Sequence, residues 1–302
     1  MPSMLEVSEL THTYPGQQAH TAIGGVSFEV TAGQLTCIVG PSGCGKSTLL
    51  RCIASLVTPT AGQVRLRGQP VRGVPEDLAV VFQDYGRSLF PWMSVRGNVE
   101  FPLRSRSVPR ARRRELALST LERVGLSGAE DKYPWQLSGG MQQRVAIARA
   151  LACEPALLLM DEPFASVDAQ TRFELEDLLL RVRAEQDTTI LLVTHDIDES
   201  VYLGDRVLVL SKSPATVLAD VAVELGQQRD QISTRESELF VRLRGEIART
   251  LRNAPQNRGE GDHDEAGEDE EPGEVDSSGE DRADEPALAG SDSTGSERGS
   301  TE

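Results

Sequence analysis

The sequence predicts an α/β fold: a mostly parallel sheet with functional residues along one edge, interrupted by an inserted helical block. Three observations predict it. The apolar run Leu35-Thr36-Cys37-Ile38-Val39 ends in Gly40-Pro41-Ser42-Gly43-Cys44-Gly45-Lys46-Ser47-Thr48, and an unbroken helical stretch follows. Apolar runs at Leu78 to Phe82, Ala156 to Met160 and Thr189 to Val193 each end in polar residues and alternate with helical segments, the pattern of parallel strands with a site at their C-terminal ends. From about Asp84 to Gln143 the chain changes to helical segments interrupted by Pro91, Pro102, Pro109 and Pro134.

The glycine-rich run has the spacing G-x-x-x-x-G-K-[ST] of a phosphate-binding loop, set between a strand and a helix as that motif requires. Glycine lets the backbone wrap closely around an anion, so successive N–H groups and the helix N-terminus converge on phosphate oxygens. Lys46 is expected to bridge the β- and γ-phosphates, and the Ser47 hydroxyl to hold Mg²⁺.

Taken in order, Leu5 to Tyr14 alternates and closes at Pro15-Gly16, so a strand is expected, with a second from Ile23 to Val30. Thr31-Ala32-Gly33-Gln34 turns the chain into the loop strand. After the loop helix, Gln63 to Arg67 alternates again. Within the helical block, Arg110 to Val124 is a basic helix, and Gly139-Gly140 opens a helix whose Val145, Ile147, Ala148 and Leu151 face a core. A helix over about Gln170 to Glu185 lies between the last two parallel strands, and Arg206 to Leu210 with Val217 to Leu225 reads as a terminal hairpin. Ser233-Thr234-Arg235-Glu236 has capping-box spacing and predicts a helix using Leu239, Leu243, Ile247 and Leu251.

The 302 residues carry a net charge of −16, unevenly placed. Residues 253–302 hold 17 acids and 3 bases, leaving 30 acids against 28 bases in the rest. This segment is expected to be a disordered, solvated tail, and the near-neutral remainder argues against a nucleic-acid partner. Cys37, Cys44, Cys52 and Cys153 show no paired spacing and suit a reduced chain. No apolar run approaches the roughly 18 residues of a membrane span, so a role at a membrane requires other chains to cross it.

A second motif selects among nucleotide hydrolases. Leu137-Ser138-Gly139-Gly140-Met141-Gln142-Gln143-Arg144 is similar to the signature of ATP-binding cassette (ABC) proteins, and from about Leu5 to Leu225 the chain resembles the ABC ATPase family. The resemblance implies a P-loop NTPase core over residues 1–225 with an N-terminal antiparallel β-subdomain and an inserted helical subdomain at about 84–143; a helical extension at 226–252 and the acidic tail at 253–302 fall outside it. It also implies roles. Tyr14 matches the residue that stacks on adenine. Gln83 matches the glutamine that reaches Mg²⁺ and the attacking water, Asp161 the Mg²⁺ ligand, and Glu162 the general base. Asp168, in a loose D-loop Ser166-Val167-Asp168, is implied to be one of the nucleotide-binding residues. His195 matches the switch histidine at the γ-phosphate, whereas His12, His20 and His263 read as surface residues. Cys44 reads as a passive loop residue.

The signature implies company. Ser138, Gly139 and Gly140 present a hydroxyl and backbone N–H groups at a helix N-terminus, a second anion site. In the family this segment closes over ATP held by the opposite cassette, so a second ABC ATPase subunit, a copy or a paralogue, is expected. Leu89, Phe90, Trp92 and Met93 are expected to be exposed where transmembrane permease subunits dock, which puts the chain on the cytoplasmic face of a membrane. Phe82-Gln83-Asp84-Tyr85, Leu89-Phe90-Pro91-Trp92 and Tyr133-Pro134-Trp135-Gln136 resemble the nitrate, sulfonate and taurine importer branch, which implies import of a small anion and an extracytoplasmic substrate-binding protein. Exporters, lipid-extracting systems and ABC ATPases acting on ribosomes or DNA share the cassette. The absence of a second cassette, a coiled-coil insertion and zinc cysteines disfavours the last group.

Overall fold

A computed structural model describes residues 2–16, 19–186 and 188–254. The acidic tail from residue 255, with His263, lies outside the described residues. The elements are β1 (Ser3–Tyr14), β2 (His20–Thr31), β3 (Leu35–Val39), α1 (Lys46–Ile53), β4 (Ala61–Leu66), β5 (Gln69–Pro70), β6 (Leu78–Val81), α2 (Tyr85–Ser88), α3 (Val95–Ser105), α4 (Arg110–Arg123), α5 (Gly139–Leu151), β7 (Leu157–Asp161), α6 (Ala169–Gln186), β8 (Thr189–Thr194), α7 (Ile197–Leu203), β9 (Arg206–Leu210), β10 (Val217–Ala222), α8 (Ser233–Glu236) and α9 (Glu238–Arg252).

One sheet is antiparallel, in the order β2-β1-β4-β5, and the other runs β10-β9-β3-β8-β7-β6 with only β10 antiparallel to its neighbour. Every residue of β3, β7 and β8 is buried, as expected for parallel strands covered on both faces. Alternation divides their side chains between two cores. Leu35, Cys37 and Val39 face one with Leu158, Met160, Ile190 and Leu192, beside the helical block and α6, α7 and α9. Ile38 faces the other with Leu157, Leu159, Leu191 and Val193, against α1 and the antiparallel sheet. The sheet is thus the middle layer, and β3, β8, β7 and β6 lie side by side with their C-terminal ends on one edge.

Four local expectations are corrected. Pro102 does not end its helix: α3 runs through it to Ser105. Leu89 is only 2 % exposed and belongs to the core, so of the four expected docking residues Trp92, at 70 %, is the one that stands out. His12 is buried, with Nδ1 3.1 Å from the Thr58 carbonyl oxygen and its ring edge-on to Tyr14. The C-terminal helix is capped at Ser237, not Ser233. Asp230 Oδ1 accepts from the N–H groups of Ile232 and Ser233 at the start of α8, α8 ends where Ser237 turns extended, and Ser237 then accepts from the Phe240 N–H at 3.3 Å. That start buries Phe240, Leu243 and Ile247, a stripe at helical spacing, against the core.

Candidate functional site

β3, β8, β7 and β6 deliver, from adjacent strand ends, the Gly40–Thr48 segment, His195, the Asp161-Glu162 pair and Gln83. Hydrophobic burial of the strands therefore does the positioning, and the polar residues begin where burial stops.

The loop closes on two glycines. Gly45 has φ +112°, and a Cβ there would lie 2.6 Å from the Ala22 carbonyl oxygen, so no larger residue fits. Gly43 has φ +75° with open space where a Cβ would be, leaving its backbone bare towards a cavity of about 370 Å³. Ser42, Lys46, Ser47 and Thr48 line that cavity together with Tyr14, Gln83 and Glu162. His20 and Ala22 line it as well. The sequence expectation left His20 on the surface; its pairing across from Tyr14 at the start of β2 brings it to the cavity mouth.

Lys46 is buried, and its ammonium donates to the carbonyls of Gly40 at 2.9 Å and Pro41 at 3.1 Å. It also lies 3.7 Å from Glu162 Oε1. Ser47 Oγ donates to Asp161 Oδ1 at 2.9 Å. Burial pushes the Asp161 carboxyl up, the Ser47 hydrogen bond opposes that shift, and the Glu162 charge adds to it. Glu162 follows the strand with φ +43°, a left-handed conformation that costs a residue with a Cβ about 1–2 kcal/mol. Its N–H is held by the Val193 carbonyl at 2.8 Å. The turn sends neighbouring carboxylates to different partners: Asp161 to Ser47, and Glu162 to Gln83 Nε2 at 3.3 Å and His195 Nδ1 at 3.0 Å. The Tyr14 hydroxyl sits 3.1 Å from that of Thr48 at the cavity's other end. Cys44 is buried, and its thiol is pushed up by burial against the pull of Lys46.

The remaining candidates lie apart. Ser138 caps α5, its Oγ accepting from the Met141 N–H at 3.3 Å, so the Gly139 and Gly140 N–H groups open that helix. A Cβ on Gly140 would lie 2.4 Å from the Thr171 side chain. None of Ser138, Gly139 and Gly140 lines the cavity beside Lys46. Asp168 is exposed and accepts from the Thr171 N–H and hydroxyl, which hold its carboxyl below the usual range.

A polar cluster that no sequence motif marks lies behind this edge. Glu176 on α6 and Glu199 on α7 are buried, Arg172 pairs with Asp196 at 3.2 Å, and Arg235 reaches in from α8 to Glu176 at 2.7 Å. Glu176 and Glu199 lie on different helices with no shared spacing in the sequence, and only the fold buries them. Ser233 and Arg235 would have signalled it only to a reader who knew where α8 lands.

Comparison with known proteins agrees with this geometry. Residues 23–165 match the family described as ABC transporter. The taurine import ATP-binding protein TauB of Yersinia pestis bv. Antiqua is 47% identical over 225 residues, covering 74% of this chain and 86% of that protein. The nitrate import ATP-binding protein NrtD of Synechocystis sp. is 41% identical over 254 residues, covering 82% and 95%. Among solved structures, the dimeric post-hydrolysis state of an ATP-binding cassette bound to ADP and Pi superimposes with a TM-score of 0.66 at 33% identity, covering 73% of this chain and 99% of that one. A chain that shares two-fifths or more of its residues with such relatives over most of their length, and that folds its glycine loop, Asp161 and Glu162 onto one strand edge, belongs to the ABC transporter family as an ATP-binding, ATP-hydrolysing subunit.

Proposed function

We propose that this subunit energises import of a small anion by closing over ATP with a second cassette. The observation that carries the reading is the separation just described: the Ser138 helix N-terminus lies outside the cavity that Lys46 lines, so in this reading one chain supplies each nucleotide with only half its contacts. A second cassette, a copy or a paralogue, supplies the other half, with Asp168 at the junction.

In this reading Tyr14 stacks on the adenine, Gly40 to Thr48 cradle the phosphates, and Lys46 neutralises the β- and γ-phosphates. Mg²⁺ fits the oxygen set of Ser47 and Asp161, with Gln83 nearby. Among the described residues no group of three His, Cys, Asp or Glu could hold a metal ion, which suits a cation that takes one or two protein oxygens and completes its shell with phosphate and water. Bound there, it would neutralise charge developing on the phosphoryl oxygens. Glu162 takes a proton from the attacking water, and Gln83 and His195 hold that carboxylate in place. Because a carboxylate only accepts, the His195 contact puts the ring proton on Nδ1.

No described helix is long and apolar enough to cross a membrane. In this reading the work is passed to permease subunits at the cytoplasmic face. Phe90, Trp92 and Phe101 form an aromatic cluster, with centroids 4.6 and 5.4 Å apart, suited to anchor that contact. Taurine carries a sulfonate and nitrate is an anion, so the relatives' cargoes support a small anion; its delivery by an extracytoplasmic binding protein belongs to the proposal. The test has two parts. Glu162→Gln chain with ATP is expected to shift from monomer to dimer by light scattering, and tagged wild type is expected to carry a polytopic permease from detergent-solubilised membranes. A chain that stays monomeric with ATP and permease, or that purifies with ribosomes instead, overturns the proposal.

A further inference from the structure

Between α6 and α7, behind the turn that carries Glu162, lies a small space of about 10 Å³ available to a water-sized sphere. A single buried water needs roughly 10–15 Å³. Its walls include Glu162, Arg172, Thr194, His195, Asp196 and Glu199. Two of these bring buried polar atoms with no hydrogen-bond partner among the described residues, Glu199 Oε1 and Arg172 Nε. Glu199 is 4 % exposed. Each such atom has given up its hydrogen bond to bulk water without gaining a protein partner, which is costly. One water accepting from the Arg172 Nε–H and donating to Glu199 Oε1 removes both costs and fills the space.

The surroundings tie that water to the reacting groups. Asp196, next to His195, caps α7 by accepting from the Glu199 N–H at 3.1 Å and pairs with Arg172 through its other oxygen at 3.2 Å. Arg172 belongs to α6, the helix that begins immediately after Asp168. We propose that Glu199 is a positioning residue for ATP hydrolysis, holding with Arg172 one buried water in the wall shared by Glu162 and His195 and so fixing the bearing of those two groups on the attacking water. The inference rests on the role of Glu162 in hydrolysis. Stability alone gives no reason for an acid at this place. Burial drives the Glu199 carboxyl well up, the charges of Glu176 and Asp196 push the same way, and Arg172 and Thr194 only oppose them. A well-packed apolar side chain avoids that cost.

The test compares wild type, Glu199→Gln and Glu199→Leu in the full chain, with ATP and Mg²⁺. Glu199→Leu is expected to lower kcat about tenfold, leave KM for ATP within about twofold, and leave the melting midpoint unchanged or higher. Glu199→Gln, whose amide keeps both a donor and an acceptor, is expected to recover at least about half of wild-type kcat. Wild-type turnover in Glu199→Leu, KM rising in step with the loss, or Glu199→Gln as impaired as Glu199→Leu overturns the proposal. Should Glu199→Leu not fold, a high-resolution crystal structure of wild type decides: a water within hydrogen-bond distance of Glu199 Oε1 and Arg172 Nε is expected, and a dry space overturns it. A Glu162→Gln control separates the two failures. If Glu162→Gln turns over normally the base assignment falls, whereas an inactive Glu162→Gln beside a normal Glu199→Leu removes only the positioning role.

Discussion

His195 Nδ1 and Gln83 Nε2 meet the same oxygen of Glu162, at 3.0 and 3.3 Å, while its other oxygen lies 3.7 Å from the Lys46 ammonium. One carboxylate thus joins the ends of three strands and the phosphate loop. Replacing Glu162 with Gln keeps the shape and removes the proton acceptor. Steady-state hydrolysis by Glu162→Gln is expected to fall by about 10²-fold or more while ATP affinity stays near wild type. Phosphate release and nucleotide titration measure the two, and near-normal turnover would move the base elsewhere.

Tyr14 is 37 % exposed at the cavity mouth, braced by the buried His12 ring at 4.5 Å and by the Thr48 hydroxyl at 3.1 Å. A face held in place from behind is pre-organised to stack on a base, at about 1–3 kcal/mol. Tyr14→Ala is accordingly expected to weaken ATP binding by roughly tenfold, about 1.4 kcal/mol, and Tyr14→Phe much less. Unchanged affinity in Tyr14→Ala, read by calorimetry, would leave Tyr14 a packing residue.

Cys37, Cys44 and Cys52 are buried, Cys153 partly so, and burial raises all four thiols, Cys52 to about 11. Because the thiolate is the reactive form, the native chain at pH 8 is expected to consume a thiol reagent slowly, and all four groups rapidly once denatured. Fast stoichiometric labelling of native Cys44 would show that the Lys46 field outweighs burial.

The first two of those predictions concern residues that were legible in the sequence, because each stands where a strand gives way to a polar turn or where a motif fixes its spacing. The strand Leu35–Val39, the alternation of β7 and β8, and the α5 residues Val145, Ile147, Ala148 and Leu151 all follow from local pattern. What stayed hidden depends on contacts distant in the chain. Leu89 reads as an exposed anchor until α3 and α5 close over it, and His12 as a surface residue until Tyr14 and Thr58 cover it. Ser237 is the exception and stayed hidden for a local reason: Ser233 offers the same capping spacing, and only the extended backbone at 237 selects between them.

Glu176 is the most consequential of these hidden residues, since it is fully buried on α6 and its Oε2 receives Arg235 at 2.7 Å and Gln231 at 3.1 Å, both from the C-terminal segment. Arg235 also stacks on the rings of Tyr202 at 4.7 Å and Phe173 at 5.0 Å. Burial raises the Glu176 carboxyl, and Arg235 is the largest influence pulling it back. Arg235→Ala leaves that charge unpaired and is expected to cost about 3–5 kcal/mol near pH 8. The sign with pH follows from the raised carboxyl. Between its unfolded and its folded pKa the native state holds a proton that the unfolded chain releases, so the fold loses stability as pH rises through that window. Removing Arg235 widens the window, so the deficit of Arg235→Ala relative to wild type is expected to shrink towards pH 5 and grow towards pH 8. Urea unfolding at both pH values, with Glu176→Leu/Arg235→Leu recovering most of the loss, measures it; an equal deficit at both would show that Arg235 acts through its ring contacts alone.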